Sequence, residues 1–304
     1  MLQDIASSPR KGVPRHDTAR DNDVMPSRAS NLFIVDTHVH IFPDTVAAKA
    51  VAKMEQHSGI KLATDGTLAG LTRSMATAEI RYAVTLPVST RPDQVPGINR
   101  HALTLRTIPG IIPFGSLHPK IPNFRDEIRR LADGRIRGVK MHPDHQSFFI
   151  DEESLFSLYE ALAESGLILA IHAGGNINLP DPARCTPERL ANVIRKVPGL
   201  KIMAAHLGGW KHWKEVERHL VGLPLWMDTS FTLGHCPLEQ ILRIVRRHGA
   251  HRILFGTDSP WVDQAQAVEE LMQTPFTPQE KRAILWDNAT ALLNLPAPIN
   301  TIER

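Results

Sequence analysis

The sequence predicts an α/β protein built as a single (β/α)8 barrel. Three observations predict it. Short apolar stretches of strand character alternate with helical stretches eight times along the chain. Regular alternation of this kind implies parallel strands joined by crossover helices. The strands are near-continuous apolar runs, such as Ile202-Met203-Ala204-Ala205 and Ile253-Leu254-Phe255, as expected when both faces are buried. The length of 304 residues is also one that a single barrel fills. An open doubly wound sheet is the alternative. Against it, no Gly-rich nucleotide fingerprint follows the first strand and no phosphate-binding loop occurs.

The elements follow in order. Phe33-Ile34-Val35 opens the first strand, which ends in Asp36-Thr37-His38-Val39-His40. A helix is expected over 45–57, then a less regular, partly helical connection over 58–80. Arg81 to Pro87 is the second strand, and a helix lies within 95–109. Ile111 to His118 is the third strand. The helix over 124–133 is stopped by Gly134, because glycine suits the left-handed position after a helix. Strand four is Ile136 to Met141. The helix over 152–165 is closed by Gly166, and strand five runs from Leu167 to His172. After a long loop, Thr186-Pro187-Glu188 starts a helix with a threonine cap and a proline at the first helical position. Strand six is Leu200 to His206, with a helix over 211–220. Strand seven is Leu225 to Thr229, with a helix over 237–248. Strand eight is Arg252 to Gly256, and helices over 264–272 and 278–293 complete the unit. Nothing divides residues 32–296 into two domains.

Residues 1–31 are rich in Ser, Asp, Arg and Pro without apolar period, which predicts a disordered polar leader; 297–304 is a short C-terminal tail. No secretory core or membrane-length apolar run occurs, so the default location is cytoplasmic. The net charge is +3, with no long basic run and no interleaved aromatics. Nucleic-acid and membrane-surface partners are therefore not expected, and the expected partner is a small-molecule substrate. Cys185 and Cys236 are far apart and form no CxxC pair, which suits a reducing compartment.

Histidine is the unusual count, 15 in the chain. In a barrel, functional residues sit at the C-terminal strand ends. Those ends carry His38, His40, Lys140, His172, His206 and Asp258. His38 and His40 are two apart on a strand and so share a face. Imidazole plus carboxylate is a ligand set for Zn²⁺ and related divalent ions, Mn²⁺ included. Gly-rich turns follow His172 and His206, allowing backbone to approach a ligand closely. His16, His57, His101, His212, His219, His248 and His251 are assigned to the surface or to satisfied core positions. His142 shares the face of Lys140 and, with His118 at the end of strand three, is expected to line the pocket. Trp210, Trp261 and Arg184 are further substrate-binding candidates.

The segments Asp36-Thr37-His38-Val39-His40, Gly138-Val139-Lys140-Met141-His142-Pro143, Ile171-His172-Ala173-Gly174, Ala205-His206-Leu207-Gly208-Gly209 and Phe255-Gly256-Thr257-Asp258-Ser259-Pro260-Trp261 resemble the amidohydrolase superfamily. The chain is most similar to its amidohydrolase-2 branch, which includes 2-amino-3-carboxymuconate semialdehyde decarboxylase. The resemblance implies a barrel of the metallo-dependent hydrolase type. It implies His38, His40, His172 and Asp258 as metal ligands. His206 would be a ligand of a second ion in a two-ion site, or would hydrogen-bond the substrate or the metal water in a one-ion site. Lys140 would be either a carbamylated bridge between two ions or an ammonium that binds a substrate carboxylate. The family's habit of forming dimers is the pointer to a homodimer.

Two reactions follow as expectations. The first is hydrolysis of a small amide, lactone or ester. The metal lowers the pKa of a water to about 7, Asp258 acts as general base and His206 stabilises the oxyanion. The alternative is non-oxidative decarboxylation of a small aromatic or unsaturated carboxylic acid, with Asp258 or His206 protonating carbon. A ligand-binding barrel without catalysis is a third reading, against which the complete ligand set argues.

Overall fold

The computed structural model describes residues 33–177 and 182–296. The leader expected over 1–31 and the tail over 297–304 lie outside the described residues. The strands are β1 (Val35–Val39), β2 (Tyr82–Thr85), β3 (Ile111–Pro113), β4 (Gly115–Ser116), β5 (Gly138–Met141), β6 (Ile168–Ile171), β7 (Ile202–Ala204), β8 (Trp226–Asp228) and β9 (Ile253–Leu254). All paired neighbours are parallel, in the order β1-β2-β3 and β4 through β9.

Two seams join these runs into a barrel. β3 and β4 are parts of the third strand, interrupted at Phe114, whose N–H still donates to Thr85 O at 3.0 Å. At the other seam, Thr37 N–H donates to Phe255 O, Asp258 N–H to His38 O and His40 N–H to Ser259 O, at 2.6–2.8 Å. Val39 and Ser259 are bridged in parallel. The last strand therefore hydrogen-bonds to the first.

The main helices are α1 (Asp44–Ser58), α2 (Leu68–Thr77), α3 (Val95–Leu105), α4 (Phe124–Asp133), α5 (Pro143–Gln146), α6 (Phe156–Ser165), α7 (Pro187–Lys196), α8 (Trp213–His219), α9 (Leu238–His248), α10 (Gln264–Gln273), α11 (Pro278–Arg282) and α12 (Asn288–Leu293). The less regular connection over 58–80, read as partly helical, holds the helix α2. Thr67 caps it by accepting from Gly70 N–H. The helix expected over 278–293 is broken by a π turn over Ala283–Asp287. Among the described residues no helix is long and apolar enough to cross a membrane.

The core fixes which end of the barrel is open. Val35, Val84, Ile112, Phe114, Ile168, Met203 and Leu254 pack together with Trp286, Ala289 and Leu293 from the C-terminal helices. Phe33 and Tyr82 flank the Trp286 ring, at centroid distances of 5.2 and 6.0 Å. These two precede or begin strands, so the C-terminal helices seal the end where strands start. Truncating a buried tryptophan of this kind to alanine costs about 3–5 kcal/mol. The opposite end, where the histidines lie, is left for chemistry.

Candidate metal centre and active-site cavity

Asp36 anchors the first strand end. Its buried carboxylate accepts from His38 N–H, Thr257 N–H, Thr257 Oγ1 (2.6 Å) and Gln264 Nε2 (2.7 Å). Burial pushes this carboxyl up to about 6, opposed by those hydrogen bonds, which favour its charged form. The result ties β1, the segment after β9 and α10 into one unit. Gly256 lets that segment close: a Cβ there would meet His38 Cβ at 3.0 Å.

Each of four histidines spends one ring nitrogen on an oxygen acceptor. His38 Nδ1 bonds Asp228 Oδ2 at 2.9 Å, His40 Nδ1 bonds Leu86 O at 2.7 Å, and His206 Nδ1 bonds Ser230 O at 2.9 Å. His172 Nε2 bonds Gly175 O at 2.9 Å. A backbone carbonyl or carboxylate accepts, so that nitrogen carries the proton and the other presents its lone pair. The lone pairs converge. His38 Nε2 lies 3.2 Å from His40 Nε2, and Asp258 Oδ1 lies 3.4 and 3.1 Å from the two. His206 Nε2 lies 3.1 Å from His172 Nδ1.

Lone pairs that face one another at this range repel unless a proton or a cation lies between them. Ligands at 2.0–2.2 Å from a tetrahedral divalent ion are roughly 3.4 Å apart. The trio His38, His40 and Asp258 therefore fits an ion. His172 is not part of that tight trio. It adjoins through His206, and its ring stacks on His142 at 4.0 Å and 9°. A second group able to hold an ion comprises His142, Asp144 and His172.

Charge supports the same assignment. Burial alone would raise the Asp258 carboxyl, but His38, His40 and His206 outweigh it and hold it well below the usual range. Burial also pulls His38 down to about 4, with Lys140 acting in the same direction, so its imidazole is neutral and able to ligate. Lys140 is 1% exposed, with Nζ 3.3 Å from His38 Nε2. Burial lowers its ammonium to about 8, opposed by Asp228 and Asp258. The backbone is strained at this rim: His206, Leu207, Phe231 and Asp258 all have φ between 50° and 67°. Such strain persists only where surroundings over-determine it, and it clusters at functional sites.

These groups face a cavity of about 530 Å³. Nine residues expected at the site, His38, His40, Lys140, His142, His172, His206, Trp210, Asp258 and Trp261, line it. His118 and Arg184 are not among the lining residues. His118 Nδ1 instead accepts from Lys120 N–H at 3.1 Å, and the Arg184 guanidinium lies over the Phe149 ring at 5.1 Å. His57, assigned from sequence to the surface or core, lines the cavity together with Lys53 of α1. Asp228 and Ser230 are the residues that sequence reasoning missed. Ser230 Oγ donates to Asp228 Oδ1 and lies 3.0 Å from both His38 Nδ1 and His206 Nδ1. Asp228 ends β8, one residue before the end that the sequence predicts for this strand.

Comparison with known proteins agrees with this architecture. A search of curated proteins finds no match. Among solved structures, an uncharacterised TIM-barrel protein from Bordetella bronchiseptica superposes with a TM-score of 0.71 at 21% identity, over 86% of this chain and 99% of its own. The 5-carboxyvanillate decarboxylase of Sphingomonas paucimobilis gives 0.64 at 16%, over 88% and 100%. A dihydroxybenzoic acid decarboxylase from Polaromonas, solved with manganese and 2-nitroresorcinol, gives 0.67 at 15%, over 90% and 100%. The family profile of the amidohydrolases matches residues 35–295, and the chain belongs to that family.

Proposed function

We propose that this protein is a metal-dependent decarboxylase of a small aromatic or unsaturated carboxylic acid. The observation that carries the reading is the charge of the cavity wall. Two lysines, Lys53 and Lys140, line it against a single carboxylate, Asp258. Asp258 is itself committed to His38 and His40. A low-dielectric pocket of this sign favours an organic anion over a neutral amide. The decarboxylases among the structural relatives support the same reading and favour it over hydrolysis.

A divalent ion held by His38, His40 and Asp258, with His172 adjoining, would supply Lewis-acid polarisation of substrate oxygens. Zn²⁺ and Mn²⁺ both suit the donors, and manganese is the ion in one relative. The chain's own groups do the rest. Lys140 and Lys53 draw the acid in. The C–C bond to the departing CO₂ breaks, and its electron pair stays on the substrate carbon. The proton that takes its place comes from water, and we assign to Asp258 or His206 the relay that takes it up and passes it to that carbon. Trp210 and Trp261 line the same cavity and wall it with aromatic surface.

Hydrolysis is the second reading, and Lys140 is the observation that favours it. A buried lysine of lowered proton affinity beside His38 reaches the free amine that carbamylation needs more readily than an exposed one, and a carbamate would supply an anionic bridge for two ions. The discriminating experiment loads the protein with Zn²⁺ or Mn²⁺ and screens hydroxylated aromatic and unsaturated acids for CO₂ release. An amide and lactone panel runs in parallel. Release of CO₂ by wild type, abolished in Asp258→Ala, is expected. Turnover of the amides or lactones with no CO₂ from any acid would overturn the proposal.

A further inference from the structure

Two cavities lie at the C-terminal end of the strands, and Phe231 lines both. The larger surrounds the metal centre. The smaller, about 230 Å³, lies between the segments that follow β8 and β9. Phe231 stands between rings that belong one to each side. Its face stacks on His235 of the smaller cleft, at 4.6 Å and 10°. Its ring meets Trp210 of the metal cavity at 6.2 Å and 61°.

The backbone holds this ring in place against its own preference. Phe231 has φ +50°, a left-handed conformation that a bulky side chain disfavours. The preceding carbonyl, Ser230 O, accepts from His206 Nδ1 at 2.9 Å and from Thr232 Oγ1 at 3.0 Å. Thr232 N–H donates to Thr229 O at 3.1 Å. The bond that orients His206 therefore also fixes where the Phe231 ring begins.

The smaller cleft has a different chemistry from the metal cavity. Glu270 is its carboxylate, bonded by Gln266 Nε2 at 2.8 Å. The hydroxyl of Thr257 is spent on Asp36 and that of Thr229 on Gly256 O. The cleft thus offers an acceptor, suited to a hydroxyl or amine. We propose that Phe231 is the partition that sets the length of ligand the metal cavity admits. The cleft behind it is a subsite for a hydrogen-bond-donating distal arm, reached when the partition is cut back. This holds whichever reaction the metal centre performs.

Calorimetric binding to the metal-loaded protein tests it. The probes are single-ring acids, amides and lactones, each paired with a counterpart lengthened by a hydroxymethyl or aminomethyl phenyl arm. Wild type should favour the short member of each pair that binds. Phe231→Ala should move the long-to-short affinity ratio at least tenfold toward the long member, with metal content unchanged. Phe231→Leu, which keeps a side chain of similar bulk, should move it less and serves if the alanine variant fails to fold. Adding Glu270→Gln to Phe231→Ala should remove the gain for the aminomethyl arm and spare that for the hydroxymethyl arm. An unchanged ratio in both Phe231 variants, or long members bound by wild type as tightly as short ones, would overturn the proposal.

Discussion

At the scale of single residues, the site depends as much on what faces away from the cavity as on what faces it. His38 can offer Nε2 only because Nδ1 is held by Asp228, and Asp228 also accepts from His206 N–H at 3.1 Å. Burial alone would raise the Asp228 carboxyl, but the attraction of His38 and hydrogen bonds from His38 and Ser230 hold it well below its ordinary range. It stays ionised and strengthens His38 as a donor. Asp228→Asn keeps the shape and removes the charge. It should weaken metal binding about 10- to 100-fold, measured by competition with a chromogenic chelator. Binding as tight as wild type would show that Asp228 does no more than fill space. The histidines were legible in sequence because each closes an apolar strand, a pattern with one placement in a barrel. Asp228 closes one too, but a lone carboxylate before Thr229 and Ser230 reads equally as an end of strand. Its role appears only when the fold brings position 228 beside position 38.

At the scale of elements, strand counting worked where strands are continuous and failed where they break. The third strand is interrupted at Phe114, and counting in twos from Ile111 no longer says which way His118 points, because a one-residue slip reverses every side chain. Arg184 was misplaced for a different reason. It belongs to a long loop with no period, where the stacking of its guanidinium on Phe149 decides its direction. α1 shows the converse. Its i, i+4 pair Lys53 and His57 reads as an ordinary solvated face until the helix is seen leaning over the barrel mouth. α9 carries an element-scale prediction. His248 closes it, accepting from Gly222 N–H at Nδ1 (3.1 Å) and donating from Nε2 to Leu225 O (3.0 Å). The bond accepted at Nδ1 requires the neutral ring, whereas the one donated to Leu225 O is open to either form, and together they fix the loop that leads into β8 and so into Asp228. Burial lowers the His248 pKa from its ordinary 6.5. The folded state therefore binds a proton less readily than the unfolded chain. The stability this gives is fully present above pH 6.5 and is lost as pH falls below it. Melting temperatures at pH 7.5 and 5.5 should differ more for wild type than for His248→Asn. Equal differences would show that His248 does not titrate on unfolding.

At the scale of the whole molecule, the trio that fits an ion spans the seam between the first and last strands. His38 comes from β1 and His40 directly follows it, and Asp258 follows β9, over 200 residues later. The same seam is closed by the backbone bonds from Thr37, His40 and Asp258. An ion held there ties the two ends of the barrel, and unfolding must release it. The C-terminal helices seal the far end with Trp286, Ala289 and Leu293, so the ion acts on the end that the core does not cover and where the backbone is strained. A ligand that binds only the folded state adds about 2.7 kcal/mol at one hundred times its Kd. For a chain of this size that is a rise in Tm of roughly 4–5 °C. Zn²⁺ and Mn²⁺ added to chelator-treated protein should each raise Tm in a dose-dependent way. His40→Ala, which removes a member of the trio at the cavity wall and leaves the barrel core intact, should melt near the chelated wild type and show no dose dependence. If instead His40→Ala responds to the ions as wild type does, the stabilising site lies elsewhere. The group of His142, Asp144 and His172 would then be the place to look, because it shares His172 with the centre but none of the seam.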